Sequence, residues 1–458
     1  MSNEDQPRQL ISRRTFLATG ATALGVLAAV GFGFRQYIER FLNSLNARQP
    51  QVQGFDSLDD TLYDVVIVGS GPAGAILGRE LVNKGLKTLI LEAGPSLSNP
   101  DSSIQAHRLE VVRNSGSIDY PISSTRLRAV GGTSLIWTGR SPRLHPIDFE
   151  NNAYTPEGAD WPFRYEDIER YYEQAERTLR VRGDALSEMH APRNSPLPLH
   201  TWFTEGIGEV QEVMQPVNLT WDFSPTSTGI ANHNAGLQAM TDVLPDFTDS
   251  PHGTLVVGAA LTNIVPDDAG NVASLEVSNY TGQVRNVRGE RYVIACGGID
   301  SAKLLLQSRS DVYPNGFGND NDMVGRFFNE HYNITLQGQL PTDKLPSENQ
   351  LARSHSLYKS FKEEGLGSII LWSRVQPDGV VMVGATLEIY PHPDNRVTLA
   401  EDMPDGLGNP GMDLSFSFTE KDERTKEAVY ALLEQILVDI GATDIEETIV
   451  HQWAHHHY

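Results

Sequence analysis

Cysteine and basic residues are both scarce in this sequence, and each shortage excludes a class of protein. Cys296 is the only cysteine, so neither an intrachain disulfide framework nor a cysteine-based zinc cluster can form. Lys and Arg number 36 against 59 Asp and Glu, which gives a formal net charge of −23. Nucleic-acid binding needs clustered basic residues, and none occur, so we expect no nucleic-acid partner. A solvated acidic surface is the simplest interpretation of the charge.

Internal repeats and low-complexity tracts are also lacking, and the composition is that of a globular protein. Hydrophobic residues make up 39% of the chain and charged residues 21%, which disfavours both disorder and a multi-span membrane protein. A chain of 458 residues can bury a sizeable core and exceeds the usual size of one domain.

The first residues carry a targeting pattern. Ser12–Leu17 reads Ser-Arg-Arg-Thr-Phe-Leu, and an uncharged stretch rich in Ala and Gly continues to Phe34. This predicts a twin-arginine export signal and a periplasmic or other extracytoplasmic location. The alternative is a plain membrane anchor, since residues 16–34 are long enough to span a bilayer. No Ala-x-Ala site follows, so an uncleaved segment would tether the protein to the membrane.

A nucleotide-binding fingerprint follows a polar linker that ends near Thr61. Tyr63–Val68 is apolar and β-branched, which predicts a buried parallel strand. The sequence Gly-Ser-Gly-Pro-Ala-Gly at residues 69–74 opens a predicted helix that stops at Gly85, and a second predicted strand, Lys87–Leu91, ends on Glu92. Strand, glycine loop, helix, strand and acid in this order predict a dinucleotide site.

Each conserved part of such a fingerprint has a physical task. Gly69 permits the tight turn, Gly71 lets the backbone approach a diphosphate, and Gly74 allows close packing of helix and strand. The helix N-terminus offers free N–H groups to the diphosphate. Glu92 can accept hydrogen bonds from ribose hydroxyls and disfavours the 2′-phosphate of NADP. The fingerprint alone does not separate FAD from NAD.

Two later segments favour FAD. Residues 126–139 contain Gly131, Gly132, Thr133 and Ser134, small and hydroxyl residues that allow the backbone to approach a flat ring or a diphosphate. A predicted strand from Arg291 then runs into Ala-Cys-Gly-Gly and a helix, so Gly297 marks a second point of close approach. A nucleotide-binding domain with one strand–helix–strand unit, to which strands from distant parts of the chain are added, is more typical of FAD than of NAD binding.

These segments together resemble the glucose–methanol–choline (GMC) oxidoreductases, and the resemblance covers roughly residues 63–458. The matching pieces are the glycine fingerprint with Glu92, AVGGTSLIWTGRSPRL from Ala129, Trp161-Pro162 with Tyr165–Ile168, VIACGGIDSAKLLLQS from Val293, Val324–Phe327 with His331, Asn395–Leu399, and the closing histidines. Seven matches in order are specific, whereas any one alone is not.

The resemblance implies an FAD enzyme, similar to choline dehydrogenase, that oxidises an alcohol, sugar or polyol. It implies that the ADP half of FAD is held by the fingerprint and by the backbone of Val257, and that the second cluster lies along the diphosphate and flavin. The residues that we expect to bind the cofactor are Gly69, Gly71, Gly74, Glu92, Gly131, Gly132, Thr133, Ser134, Val257 and Gly297.

The expected fold class is α/β. A Rossmann-like FAD-binding domain is interleaved with an α+β substrate domain built on an antiparallel sheet. The predicted boundaries are 1–47 for the signal or anchor and linker, 61–150 and 251–325 for the FAD-binding domain, 151–250 and 326–450 for the substrate domain, and 451–458 for the start of a catalytic motif.

The last residues contain the candidate base. Flavin-dependent alcohol oxidation moves a proton from the hydroxyl to a base, and a neutral histidine suits that task. The GMC pattern is His-x-x-Gly-Thr, of which His456, His457 and Tyr458 match the first three positions. His456 is therefore the candidate base, with His457 and His455 next. Adjacent histidines cannot converge on one ion, so we expect no metal site. The family continues beyond this motif, so we expect a C-terminal truncation that weakens the flavin site.

Several alternatives stay open at this point. Another FAD oxidoreductase, of the ketosteroid or amine type, shares the fingerprint, and an inactive fragment is the third possibility. The expected partners are a small alcohol or sugar and an electron acceptor, which is oxygen, quinone or a cytochrome. The aromatic residues Trp202, Trp221 and Trp372, with His233, either line a pocket or belong to the core, and scattered aromatics favour the core.

Overall fold

The chain was analysed as a computed structural model, which describes residues 47–96, 110–150, 160–183, 190–198, 207–222, 224–229, 236–341, 345 and 350–448. Residues 48–458 form one unit, and the description below concerns that unit. The predicted export segment and the candidate bases His456 and His457 lie outside the described residues.

The described first half of the chain contains short groups of strands and helices, and strands dominate the second half. The strands are β1 Gln53–Gly54, β2 Leu62–Val68, β3 Thr88–Glu92, β4 Val112–Asn114, β5 Gly253–Val257, β6 Ala260–Pro266, β7 Val272–Ser278, β8 Val284–Ile294, β9 Tyr332–Gln339, β10 Gln350–Ser354, β11 Ile369–Val375, β12 Val380–Leu387, β13 Arg396–Pro404, β14 Pro410–Ser415 and β15 Thr443–Glu447. The helices are α1 Pro72–Val82, α2 Ile122–Thr125, α3 Tyr165–Leu179, α4 Ile207–Met214, α5 Ala239–Asp242, α6 Leu244–Asp249, α7 Gly297–Gln307, α8 Tyr358–Glu363 and α9 Glu420–Asp439.

The largest sheet has seven strands in the order β1-β5-β3-β2-β8-β7-β6. The strands from β1 to β8 in this order run parallel, and β7 and β6 continue as an antiparallel edge. Val66 and Ile67 in β2 are fully buried because both faces of a parallel sheet are covered. The predicted unit of strand, glycine loop, helix and strand is present as β2, α1 and β3.

A second sheet of five antiparallel strands has the order β10-β11-β12-β9-β15. Helix α9 packs on it through Val429, Leu433, Ile436 and Leu437, which are buried. Thr419 caps this helix, since its hydroxyl accepts from the Asp422 N–H at 3.2 Å. The predicted α/β fold with a parallel and an antiparallel sheet is therefore confirmed, while the exact domain boundaries stay predictions.

The third sheet consists of β13, β14 and β4. Strands β13 and β14 form an antiparallel hairpin, and β4 pairs in parallel with β14 through Val112 and Met412. Three residues are too few to give a recognisable alternating pattern, so the sequence did not reveal β4.

The predicted polar linker before Thr61 is partly wrong. Gln53 and Gly54 form β1 and pair with Val256 and Val257. Phe55 and Leu58 are buried against the same sheet. Two apolar residues among polar ones are a weak sequence signal for a strand. Their burial nevertheless holds this segment against the sheet. Within the described ranges, no helix has both the length and the apolar character needed to cross a membrane.

Candidate functional site

A cavity of about 360 Å³ lies at the carboxyl ends of the parallel strands. Val68 ends β2, Glu92 ends β3, and Ala295–Gly297 follow β8, and all of these residues line the cavity. The volume is in the range of cofactor and ligand pockets. The glycine fingerprint thus borders a space that can hold a ligand.

The first glycine turn has little room for side chains. Gly69 has φ +102°, and a Cβ there would lie 2.5 Å from the carbonyl oxygen of Ala295. A Cβ on Gly74 would lie 2.0 Å from the carbonyl oxygen of Gly69. A Cβ on Gly71 would meet nothing within 4 Å. Gly69 and Gly74 are therefore required by packing, whereas Gly71 keeps open the space in front of the α1 N-terminus, where a diphosphate fits.

Glu92 fixes the conformation of this turn. Its Oε2 accepts from the hydroxyl of Ser70 at 2.5 Å and from the Ser70 N–H at 3.1 Å, and its Oε1 accepts from the Gly94 N–H at 2.7 Å. Burial raises the pKa of the carboxyl group, against the effect of these hydrogen bonds. Because a carboxylate has about four acceptor positions, three protein donors leave room for a single ribose hydroxyl.

Ser70 is a site residue that the sequence analysis missed. Its hydroxyl oxygen accepts from the Gly131 N–H at 3.0 Å while donating to Glu92. One buried hydroxyl therefore joins the first glycine turn, the acid at the end of β3 and the second glycine cluster. A hydroxyl residue between the first two glycines of the fingerprint was the available signal.

The second glycine cluster faces the first. Gly132 has φ +55°. A Cβ added to it would lie 3.2 Å from the Cα of Gly71, so the two backbones are in contact. Gly132 and Thr133 line the cavity. Ser134 does not, since its hydroxyl donates to the Gly131 carbonyl at 2.6 Å and accepts from the Ala239 N–H at 2.9 Å. Ser134 shapes the turn in this structure, and its predicted contact with the cofactor stays a prediction.

The remaining predicted residues lie around the same strand ends. Gly297, with φ +73°, lines the cavity at the start of α7. Val257 is the register partner of Glu92 but is not among the residues that line the cavity. The thiol of Cys296 donates to the Val68 carbonyl at 3.2 Å, and burial raises its pKa, so it stays protonated at neutral pH.

Charged side chains form a further wall of the cavity. Arg128 Nη2 donates to Asp300 Oδ1 at 3.0 Å, and Arg126 Nη1 to Asp300 Oδ2 at 3.5 Å. Burial disfavours the charged form of Asp300, but the two guanidinium groups outweigh it and hold its pKa below the ordinary value. All three residues line the cavity. Arg126 and Arg128 directly precede the second glycine cluster, so a basic pair at that position was a readable signal.

The tip of the β13–β14 hairpin closes another side. Lys303 Nζ lies 3.1 Å from Asp405 Oδ2, with both side chains buried. Asp405 Oδ1 also accepts from the N–H groups of Leu407 and Asn409 at 2.9 and 3.0 Å. These four residues line the cavity, so the hairpin contributes directly to the site. The sequence gives no sign of this contact, because α7 and the hairpin are distant in the chain.

A buried polar cluster, formed by His190, Asp222, Ser224 and His355, lies apart from the residues that line the cavity. His190 Nε2 lies 3.1 Å from Asp222 Oδ2, and His355 Nε2 lies 3.0 Å from Ser224 Oγ. The two imidazole rings are 4.4 Å apart at their centroids in an edge-to-face arrangement. All four residues are buried. None of them was predicted, since they come from separate segments.

Of the aromatic residues considered for a substrate pocket, Trp221 packs in the core and Trp372 is half-buried. Trp221 is buried in the hydrophobic cluster of the five-stranded sheet. Trp372 lies over Gly384, where a Cβ would be 2.4 Å from the indole ring. Trp202 and His233 lie outside the described residues.

Comparison with known proteins identifies similar chains. A family profile described as "FAD binding domain" matches residues 62–194. The fructose dehydrogenase large subunit of Gluconobacter japonicus is 24% identical, over 84% of this chain and 85% of that protein. Paromamine 6'-oxidase of Streptomyces fradiae is 27% identical, over 86% of this chain and 80% of that protein. The crystal structure of pyridoxine 4-oxidase from Mesorbium loti matches with a TM-score of 0.55 at 18% identity, over 84% of this chain and 83% of that one.

These matches bear on the predictions made from the sequence. The predicted FAD-binding fold, FAD as the cofactor and an enzymatic role are confirmed. The predicted site residues themselves remain predictions, supported by the geometry of the cavity described above.

Proposed function

We propose that this chain, whose predicted resemblance to the GMC oxidoreductases is confirmed, is an FAD-dependent oxidoreductase that acts on the CH–OH group of an alcohol, sugar or polyol. The observation that carries the proposal is the pair of glycine backbones, Gly71 and Gly132, that meet beside an open space at the N-terminus of α1. Relatives named for fructose and paromamine support the substrate class. They do not favour the ketosteroid or amine alternative.

The residues of the cavity fit FAD. Gly71 leaves space for a diphosphate, and the N–H groups of the first turn of α1 point to that space. Glu92 has one acceptor position for ribose, and Gly132 and Thr133 continue the wall toward the substrate side. FAD, when bound, supplies the acceptor of the hydride from the carbinol carbon.

The protein must also remove the hydroxyl proton. His456 is the proposed base and His457 the second candidate, because a neutral imidazole is the side chain best suited to that transfer near neutral pH. The base would hold the substrate hydroxyl and withdraw its proton as the carbinol hydride leaves. Both residues lie outside the described part of the chain, so the proposal stands on the motif alone.

The electron acceptor and the location complete the proposal. Oxygen, a quinone or a cytochrome is the acceptor, and the twin-arginine motif at Arg13 and Arg14 sends the folded, cofactor-loaded protein out of the cytoplasm. Residues 16–34 would tether it to the membrane if they are not cleaved. Replacing both arginines with Lys should retain the protein in the cytoplasm, which cell fractionation measures. Unchanged export would contradict this part.

The central test is flavin binding and reduction by the full chain. We expect the protein, refolded or expressed with excess FAD, to show flavin absorption in the visible range that bleaches anaerobically when fructose or another polyol is added. His456→Ala should slow the bleaching about 100-fold or more, and a larger effect of His457→Ala would instead identify His457 as the base. His392→Ala, which removes a histidine whose side chain is 40% exposed, is the matched control. A protein that binds no flavin, or flavin that no alcohol reduces, would overturn the proposal.

A further inference from the structure

Two arginines, Arg140 and Arg353, have no acidic partner among the residues that the structure describes. Arg140 and Arg353 are half-buried. Neither forms an ion pair with a carboxylate in the described ranges, although 20 ion pairs, counting those of histidine, involve other side chains there. In a chain with 59 acidic and 36 basic residues, an arginine without a carboxylate is unexpected.

Arg353 is held rigidly by its backbone but not by its side chain. It lies in β10, and its backbone exchanges two hydrogen bonds with Asp222, at 2.7 and 2.8 Å. Within the described part of the chain, the guanidinium Nη1 is buried without a hydrogen-bond partner. Asp222, the nearest acid along this pairing, instead directs Oδ2 to His190.

Arg140 follows the second glycine cluster in the chain and forms a β-bridge with Thr226, four residues after Asp222. Among the described residues, its Nε donates to Thr138 Oγ1 at 3.3 Å and to no carboxylate. Burial lowers the pKa of both guanidinium groups, and the charge of Arg140 lowers the pKa of Arg353 further.

Among the described residues, no nearby acid and no nearby histidine forms an ion pair with these arginines: Asp222 directs Oδ2 to His190, and its Oδ1 is buried without a hydrogen-bond partner there. His355 bonds to Ser224, and burial first, then His190 and Arg353, lower its pKa well below the ordinary value, so it is neutral. Arginine does not lose its proton in proteins. Two like charges that are partly withdrawn from water cost free energy unless an anion joins them.

We propose that Arg140 and Arg353 form a subsite for an anionic group, a carboxylate or a phosphate ester, on the alcohol that the enzyme oxidises. This inference rests on the proposed function, since it names the substrate class of the same site. A planar guanidinium binds either anion with two parallel hydrogen bonds, so two arginines would fix the orientation of the substrate. Neutral and cationic alcohols would bind more weakly than anionic ones, because they make no ion pair with the two arginines.

The test is a titration of the full chain by calorimetry with three matched polyols. D-glucitol is neutral, D-gluconate carries a carboxylate, and D-glucitol 6-phosphate carries a phosphate. We expect at least one of the anionic ligands to bind ten times or more tighter than glucitol, and the stronger of the two identifies the anion. Arg353→Gln and Arg140→Gln should each weaken that ligand about tenfold or more and leave glucitol unchanged.

Two further variants control the experiment. Arg353→Lys keeps the charge and should retain part of the preference. Arg309→Gln removes an exposed arginine that pairs with Glu401 at 2.8 Å, and it should change nothing. If Arg353→Gln fails to fold by circular dichroism, Arg140→Gln and Arg353→Lys decide the outcome.

The failure of this inference differs from the failure of the proposed function. Equal binding of glucitol and the anionic ligands, or a preference that survives the Gln variants, would overturn the anionic subsite even if alcohols bleach the flavin. Arginine-dependent binding of gluconate or the phosphate, with no bleaching by any alcohol, would instead preserve the subsite and overturn the proposed reaction.

Discussion

The cofactor cavity and the arginine–histidine cluster handle polar groups in opposite ways. In the cavity, Glu92 accepts three protein hydrogen bonds, and the basic side chains Arg128 and Lys303 pair with Asp300 and Asp405. In the cluster, Arg140 and Arg353 have no carboxylate partner within the described ranges. Because these charged side chains of the cavity pair with one another, the cavity is a preformed space for a cofactor. The two arginines of the cluster pair with no described carboxylate, so the cluster is suited to an anionic ligand.

The buried pair of Lys303 and Asp405 tests the first half of this comparison, with the largest effect. Lys303→Met or Asp405→Leu alone leaves one buried charge without its partner, and each should lower the free energy of unfolding by about 3 to 5 kcal/mol. The double variant should recover the part of each loss that comes from an unpaired charge, because no charge remains, but not the two hydrogen bonds that Asp405 Oδ1 accepts from Leu407 and Asn409. Urea denaturation of the four proteins measures the coupling, and additive losses would contradict a compensated wall.

Two glycines of the first turn have different tasks: Gly74 allows close packing, and Gly71 leaves space for a ligand. Gly74→Ala should lower the free energy of unfolding by about 3 kcal/mol, because its Cβ would lie 2.0 Å from the Gly69 carbonyl oxygen. Gly71→Ala should leave thermal unfolding unchanged but weaken FAD binding, since its Cβ enters the open space. Thermal melting and flavin titration of both variants check this. Equal melting temperatures for the two variants would sink the distinction.

Glu330 lies two residues before strand β9 of the five-stranded antiparallel sheet. Its Oε2 accepts from the Tyr120 hydroxyl at 2.8 Å, and burial raises its pKa to about 8. Because the folded state holds this proton and the unfolded state releases it near pH 4.5, the stabilisation is complete below pH 4.5 and is lost as pH rises through 8.

We therefore expect the unfolding free energy to fall by about 2 kcal/mol between pH 6.0 and 7.5 through this group. Glu330→Gln should flatten that slope, which urea denaturation at several pH values measures. Glu388→Gln is the matched control, because it removes a carboxylate that pairs with Lys362 at 3.2 Å. An unchanged slope in Glu330→Gln would rule out this carboxyl group as the cause.

Ser70 gives the smallest expected effect. Ser70→Ala leaves the Gly131 N–H without its acceptor and removes one donor to Glu92, so we expect a loss of about 1 to 2 kcal/mol. Flavin affinity should fall with it, because the two glycine clusters lose their link. Ser134→Ala is the comparison, since its hydroxyl bonds to Gly131 and Ala239 and, among the described residues, not to the first glycine turn. If Ser134→Ala weakens flavin more than Ser70→Ala, the assignment of the link is wrong.

Contiguous motifs account for what the sequence predicted well. The tasks of Gly69 and Gly74, and the position of Glu92 beside the turn, follow from spacing within about two dozen residues. Strand β2, helix α1 and strand β3 have the expected places because local hydrophobic pattern and glycine geometry act together there. The alternating and amphipathic segments that became β11, β12 and α9 were readable for the same reason.

Long-range contacts account for what it missed. Ser70 was passed over because its two partners, Glu92 and Gly131, come from different segments. The contact of Asp405 with Lys303 depends on how a hairpin meets a helix, which no local pattern encodes. The arginine cluster combines residues near positions 140, 190, 222 and 353, and only the fold brings them together.

The pairing of β2 with β8 determines when the cofactor site can form during synthesis. Leu62 is aligned with Arg288 and Val68 with Ile294, so the central strand of the parallel sheet waits for a neighbour made more than 200 residues later. At 5 to 20 residues per second this delay is about 10 to 45 s. Until then one edge of β2 is unpaired, and contacts of such long range form slowly. Flavin can therefore be captured only after most of the chain has left the ribosome, which makes cofactor loading a late step of folding.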